Sequence, residues 1–315
     1  MTQSGEMSVP ATKMPVPEVA DEEAPRPELL PDVQDSVELV IEPVKGWIPV
    51  DWAELVRNRE LLFFLIWRDI KVRYKQAVLG IGWAVLQPVM QMIVFTLIFG
   101  VAARFKTNLP IPYALLVLSG LLPWQLFMTS MTAGGMSLVN QQHLLTKIYF
   151  PRLFIPTSVV GGALVDMAVG GVVFVIVLAI SGVTPTWGIL LLPLLLVVSV
   201  VMALGVSYLL AALTVTYRDF RFVIPFMAQI WMWMSFVVLP PSLIAGRWWK
   251  WVFALNPMYS LIAAYRKVLL GHKLTDAEIG WDWRYFLVSL AITAGLFMLG
   301  LFYFRRTERR FSDIA

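Results

Sequence analysis

Between residues 80 and 304 the chain is a series of long apolar blocks separated by short polar connections. The blocks lie near 80–102, 113–135, 155–181, 188–213, 223–241 and 284–304. Each holds about 20–28 residues, or roughly 30–40 Å of helix, enough to cross the apolar thickness of a bilayer. Lipid offers no partner to a free N–H or C=O, so a continuous apolar run crosses as a helix. A transmembrane β-barrel would show segments of about ten residues with alternating polarity instead. The pattern predicts an all-α polytopic membrane protein with six transmembrane helices.

Two stretches do not fit that simple series. In 52–75, Trp52, Leu55, Val56, Leu62, Phe63, Ile66, Trp67, Ile70 and Tyr74 recur at helical spacing, and Arg57, Arg59, Arg68, Lys71, Arg73 and Lys75 fill much of the rest. The apolar run 61–67 is too short to span. This predicts an amphipathic helix over 51–78 lying in the membrane interface. The chain has no cytoplasmic domain for such a helix to pack on instead. The second stretch is 242–283, with Trp248-Trp249-Lys250-Trp251-Val252-Phe253 and Tyr259-Ser260-Leu261-Ile262-Ala263-Ala264-Tyr265. Pro240-Pro241 and Asn256-Pro257 break the helix at their starts. Two short helices half-buried on the outer face, within 242–272, fit this best. A further pair of tilted spans is the alternative, and Arg266-Lys267 argues against it.

Composition agrees with a lipid solvent: 58% of the 315 residues are hydrophobic and 15% charged, where a soluble domain carries about 25% charged. Mean hydropathy is +0.73. The net charge of +4 conceals two unlike parts. Residues 1–50 hold ten acids, three bases and eight prolines, a charge of −7 that leaves +11 for the rest. The first part reads as a disordered acidic cytoplasmic tail without a signal peptide. The basic excess of the second reads as topology rather than nucleic-acid binding. With the N-terminus inside, the inner segments beyond residue 50 carry fourteen Lys and Arg against eight outside. Both termini, including 305–315, are then cytoplasmic.

Recognisable catalytic chemistry is absent. There is no cysteine, and His143 and His272 are the only histidines. No GxxxxGK[ST] phosphate loop, zinc-spaced histidine pair or G-x-S-x-G elbow occurs. Asp166, beside Gly161-Gly162, is the one charge deep in a span. An intramembrane acid marks either a helix–helix hydrogen bond or a contact with substrate or proton, and both readings stand. The protein is thus a passive conduit, or a separate subunit supplies the work.

Five local patterns are more specific. They are Arg73-Tyr74-Lys75 followed by Leu79-Gly80-Ile81-Gly82-Trp83 with Gln87-Pro88; Gly120 to Phe127 around Pro123-Trp124; Asn140-Gln-Gln-His-Leu-Leu-Thr-Lys147-Ile-Tyr-Phe150-Pro151-Arg152 ending at Pro156; Tyr217-Arg218-Asp219 with Pro225; and Asn256-Pro257-Met258-Tyr259 through Tyr265-Arg266 to Leu270-Gly271. In this order they resemble the membrane (permease) subunit of type-2 ABC exporters of cell-envelope polysaccharides, over roughly residues 50–310. The resemblance implies a homodimer of this chain in the bacterial inner membrane with two copies of a separate ABC ATPase, which binds ATP and Mg. It implies no cofactor on this chain and no nucleic-acid partner, one interfacial helix, and six spans rather than eight. The cargo implied is a lipid-linked polysaccharide, here of O-antigen type.

The resemblance also distributes roles. Asn140, Gln142, His143, Lys147, Phe150 and Arg152 correspond to the coupling helix that docks on the ATPase, with Trp52 and Glu54 as a second contact. Arg73, Tyr74 and Lys75 suit the phosphate-bearing lipid head group, or alternatively anchor the helix to anionic lipid. Trp83, Trp124, Tyr259 and Tyr265 are candidate channel aromatics, against the alternative of an interfacial aromatic belt. An ion-coupled flippase and an integral-membrane glycan-processing enzyme are the rival functions. For the enzyme, the long outer connection offers only Asp276, Glu278 and Asp282, in no recognisable arrangement.

Overall fold

The computed structural model describes residues 52–75, 80, 82–102, 110–142, 150–184, 187–244 and 250–308. The acidic tail, His143, Lys147, Trp248 and Trp249 lie outside them, as do the side chains of Trp52 and Lys250. Among the described residues the regular structure is helical. Five stretches are long and apolar enough to cross a membrane: Gly82–Gly100, Tyr113–Gly134, Phe154–Ile180, Trp187–Thr216 and Asp276–Glu308.

The amphipathic stretch forms α1 (Trp52–Arg57) and α2 (Arg59–Lys75). Then come α3 (Gly82–Phe95), which continues as a π-helical turn through Ala102, and α4 (Tyr113–Thr129), which does the same through Gly134. A short α5 (Ser137–Asn140) leads to the inner loop. Two long helices follow, α6 (Phe154–Ile180) and α7 (Leu192–Thr216).

The expected span at 223–241 is helical only to Met234, as the fifteen-residue α8 (Phe220–Met234). At about 22 Å it is shorter than a bilayer's apolar core. The chain then turns through Phe236, whose φ of 50° is the left-handed region. The two outer helices are α9 (Lys250–Ala254) and α10 (Pro257–Leu270). A one-turn α11 (Asp276–Ile279) precedes α12 (Trp283–Glu308).

The core is centred on α4, buried along nearly its whole length between α6, α7 and α10. α10, expected as a short helix, is enclosed by the rest of the protein. Every residue from Pro257 to Arg266 is buried, because the helix inserts between α4 and α12. α7 packs along α12. There the small residues Gly205 and Gly300 face one another, and a Cβ on Gly205 would lie 2.7 Å from the Phe297 Cα. Close backbone approach of this kind is how helices associate where lipid supplies no hydrophobic drive. α3 and α8 instead leave apolar side chains exposed, among them Val94, Leu97, Phe222 and Phe226.

Candidate functional site

Three polar tethers hold α2 to the bundle. Arg68 donates to the Gln141 Oε1 at 2.9 Å and pairs with Asp69 at 2.8 Å. Asp69 accepts from Ser158 Oγ at 3.0 Å, near the start of α6. Further along, Arg73 forms an ion pair with Asp166, and the Tyr74 hydroxyl donates to the other oxygen of the same carboxylate. Ile66 lies against Gly161, where a Cβ would meet its side chain at 2.6 Å. The glycine next to the acid therefore lets α2 approach α6. Asp166 sits about 18 Å of helix from the start of α6, so the end of α2 reaches well along α6. Burial first, then the hydrogen bond to Asp166, pushes the Tyr74 phenol up to about 12. The phenol is thus a neutral donor at ordinary pH.

So the structure joins two candidates that the sequence kept apart, the basic end of α2 and the intramembrane acid. Lys75 stays exposed.

At the inner loop, Asn140 and Gln142 are exposed. Phe150 packs on a small cluster with Leu138, Leu153, Tyr208 and Phe304. Arg152 donates to the Glu308 carbonyl, and Arg305 pairs with the Glu308 carboxylate at 2.9 Å. Phe150 and Arg152 are therefore built into the junction of α6, α7 and the end of α12. Glu54, half-buried on α1, is also engaged.

At the joint between α8 and α10, Arg266 is fully buried. Its Nη2 donates to the carbonyls of Phe236 and Val237 at 3.0 and 2.7 Å. These carbonyls lie in the turn just beyond the end of α8, where no helix bond serves them, and a cation near that helix end also complements its dipole. Gly120 makes room for this contact, because a Cβ would run into the Val237 carbonyl. Asn256 ties the same joint: it accepts from Trp231 Nε1 at 2.8 Å and from the Met258 amide, and donates to Ser235 Oγ at 2.9 Å. The outer acids have structural partners. Asp276 pairs with Lys267, Glu278 closes a capping box with Thr275, and Asp282 accepts from the Arg284 amide. This leaves the glycan-processing alternative without a free acid pair among the described residues.

The four aromatic candidates occupy different places. Trp83 is 49% exposed near the start of α3. Tyr259 is buried against Phe236, and Tyr265, within 3.0 Å of Ser199 Oγ, lines an apolar cavity of about 720 Å³ between α4, α6, α7 and α10. Trp124 lines a different groove, of about 630 Å³, bordered by α3, α4, α6 and α8. Gln87, Gln91, Gln125, Gln229 and Asp166 line it too.

A model of the ABC-2 type transporter family matches residues 60–270, most of the described helices. The chain belongs to that family. It is similar to the O-antigen export system permease protein RfbA of Myxococcus xanthus, with 35% identity over 227 residues, 71% of this chain and 86% of the relative. It is also similar to two proteins of that name from Klebsiella pneumoniae, at 27% and 26% identity over 262 residues, 81% of this chain and 95% of each relative. As an ABC-2 transporter member it is a multi-pass membrane protein, and the tethered α2, the inner loop and the outer α10 all fall within or beside the matched region.

The sequence of this ABC-2 chain suggested no separate role for Arg68, Asp69, Gln141 or the four glutamines, although Arg68 stands among the bases of 52–75 and Gln87 within a motif. The glutamines had a legible signal: uncharged amides are uncommon inside apolar runs, and each needs a polar partner there. Attention to full charges alone found Asp166 and missed them.

Proposed function

We propose that this chain is the transmembrane subunit of an ATP-driven exporter that moves a lipid-linked, O-antigen-type polysaccharide from the cytoplasmic to the outer side of the inner membrane. The observation that carries this is the similarity to O-antigen export permeases along 86–95% of their own length, on a chain of the ABC-2 family. Two copies form the channel, and two copies of a separate ATPase bind ATP and Mg and supply the work. The exposed apolar faces of α3 and α8 suit contact with the second copy. α8, with the buried turn at 235–240, serves as the fifth of six spans, its polar turn kept from lipid by Arg266. Lysine and arginine in the inner loops put both termini in the cytoplasm.

The ATPase is received at the inner loop, through Asn140, Gln142, His143 and Lys147, with Trp52 and Glu54 alongside. Phe150 and Arg152 pass the movement on to α6, α7 and α12. Arg73, Tyr74 and Lys75 attend the phosphate-bearing head group, with Asp166 holding Arg73 and Tyr74 in place. The test is reconstitution of the full chain with its ATPase in proteoliposomes containing a lipid-linked polysaccharide. Transfer that requires ATP hydrolysis and survives collapse of ion gradients is expected. Transfer driven by a gradient without ATP would sink the reading in favour of an ion-coupled flippase.

A further inference from the structure

The groove bordered by α3, α4, α6 and α8 differs in kind from the cavity lined by Tyr265. That cavity of about 720 Å³ has walls of leucine, valine, methionine and phenylalanine. The groove, of about 630 Å³, carries four uncharged amides on three helices, in a bundle whose surroundings are otherwise apolar. Its volume is that of an ordinary ligand site, roughly 300–1,000 Å³.

The amides are only partly satisfied within the chain. Gln125 Nε2 donates to Gln91 Oε1 at 2.7 Å. Each amide has two donors and two lone pairs, so most of that capacity remains. Gln87, one helical turn from Gln91, and Gln229 have no hydrogen-bond partner among the described residues, and both are exposed. The Trp124 ring is buried, and its indole N–H has no acceptor. Polar groups left in this state in lipid are costly, so they call for a polar occupant.

Charge narrows what that occupant is. Among the described residues no lysine or arginine lines the groove, and the one charged side chain there is Asp166. Both oxygens of Asp166 are already taken by Arg73 and Tyr74, which are not in the lining. A carboxylate or phosphate on a passing chain would lose water with no cation in the described lining to replace it, an electrostatic barrier. A sugar hydroxyl donates and accepts as an amide does, and meets no such barrier.

We propose that this groove binds the glycan itself and takes an uncharged, hydroxyl-rich chain, with Gln87, Gln91, Gln125 and Gln229 as the groups that read hydroxyls and the lack of a cation excluding polyanionic chains. The proposal rests on the export reading and deepens it, by naming the cargo class and the residues that select it.

The experiment uses the full chain with its ATPase in proteoliposomes, supplied with two lipid-linked polysaccharides of equal length, one of neutral hexoses and one in which every repeat carries a uronic acid. The neutral chain is expected to move, and the anionic one on the order of tenfold more slowly. Gln87→Leu with Gln229→Leu is expected to cut neutral transfer about tenfold, the size of one or two lost hydrogen bonds. Gln229→Lys is expected to raise anionic transfer relative to neutral. Native mass spectrometry of the same samples reports whether two copies remain together. Equal rates for both cargoes, or full neutral transfer by the double variant, would overturn the groove assignment alone. Loss of transfer only because the copies separate would also overturn it, since the amides would then serve the contact between chains. No transfer of either cargo would overturn the export reading and this inference with it.

Discussion

Asp166 lies deep in α6, yet both its oxygens are taken from α2, ninety-odd residues away in sequence. The pair with Arg73 is partly exposed, so its own contribution is at most about 1 kcal/mol. Asp166→Asn keeps an acceptor for Tyr74 and should cost no more than that. Asp166→Ala leaves the Tyr74 hydroxyl and Arg73 unpartnered and should cost about 1–3 kcal/mol. Thermal unfolding of the full chain in nanodiscs separates the two. Export retained in full by the Asn form would exclude an essential negative charge. The Tyr74 phenol is raised from its ordinary 10 to about 12, chiefly by burial. Because the folded state favours the protonated form, this contribution is complete below about pH 10 and is lost as pH climbs through 12. Tyr74→Phe should flatten that alkaline loss. Arg266 shows the same logic at the joint between α8 and α10. Arg266→Leu removes the donor to two buried carbonyls, and about 1–3 kcal/mol of stability should go with it, again read as a lower unfolding temperature.

Helices in this molecule are joined by two unlike devices. α7 and α12 meet through glycine, with Gly205 and Gly300 permitting backbone contact. Gly205→Val should overpack that contact at about 1–3 kcal/mol and lower the yield of folded protein. Gly171→Ala is the matched control, since a Cβ there meets nothing within 4 Å, and no loss is expected. α2 meets α6 through polar tethers and one glycine, Gly161. α8 and α10 meet through Asn256 and Arg266, which satisfy the turn at 235–240. Within the run 223–241, which the sequence reads as a span, the helix stops at Met234. Hydropathy measures how apolar a run is, and Val237, Val238 and Leu239 remain apolar when buried in protein rather than lipid. α10 was under-read for the converse reason, because Arg266 and Lys267 lowered its hydropathy although Arg266 is wholly enclosed by the fold.

Across the whole molecule, a continuous set of contacts links the inner loop to the membrane interior. Arg68 touches Gln141, Phe150 and Arg152 join α6, α7 and the end of α12, and Arg73 and Tyr74 reach the acid that lines the glutamine groove. On the proposed coupling role, Phe150→Ala combined with Arg152→Glu should lower ATPase stimulation severalfold in reconstituted complexes while the chain still inserts. Unchanged stimulation in that double variant would remove the inner loop from the coupling path. By itself the sequence determined the solvent, the helical class and most crossing segments, because lipid demands about twenty apolar residues and an internally satisfied backbone, and that demand is written locally. It also carried the family, through short motifs in a fixed order. Only the tertiary structure decided which polar groups meet: that Asp166 belongs to Arg73 and Tyr74, that Arg266 is a buried staple, and that four glutamines share one groove. Pairing across such separations depends on how helices cross and which faces they turn to one another, and no local pattern encodes that.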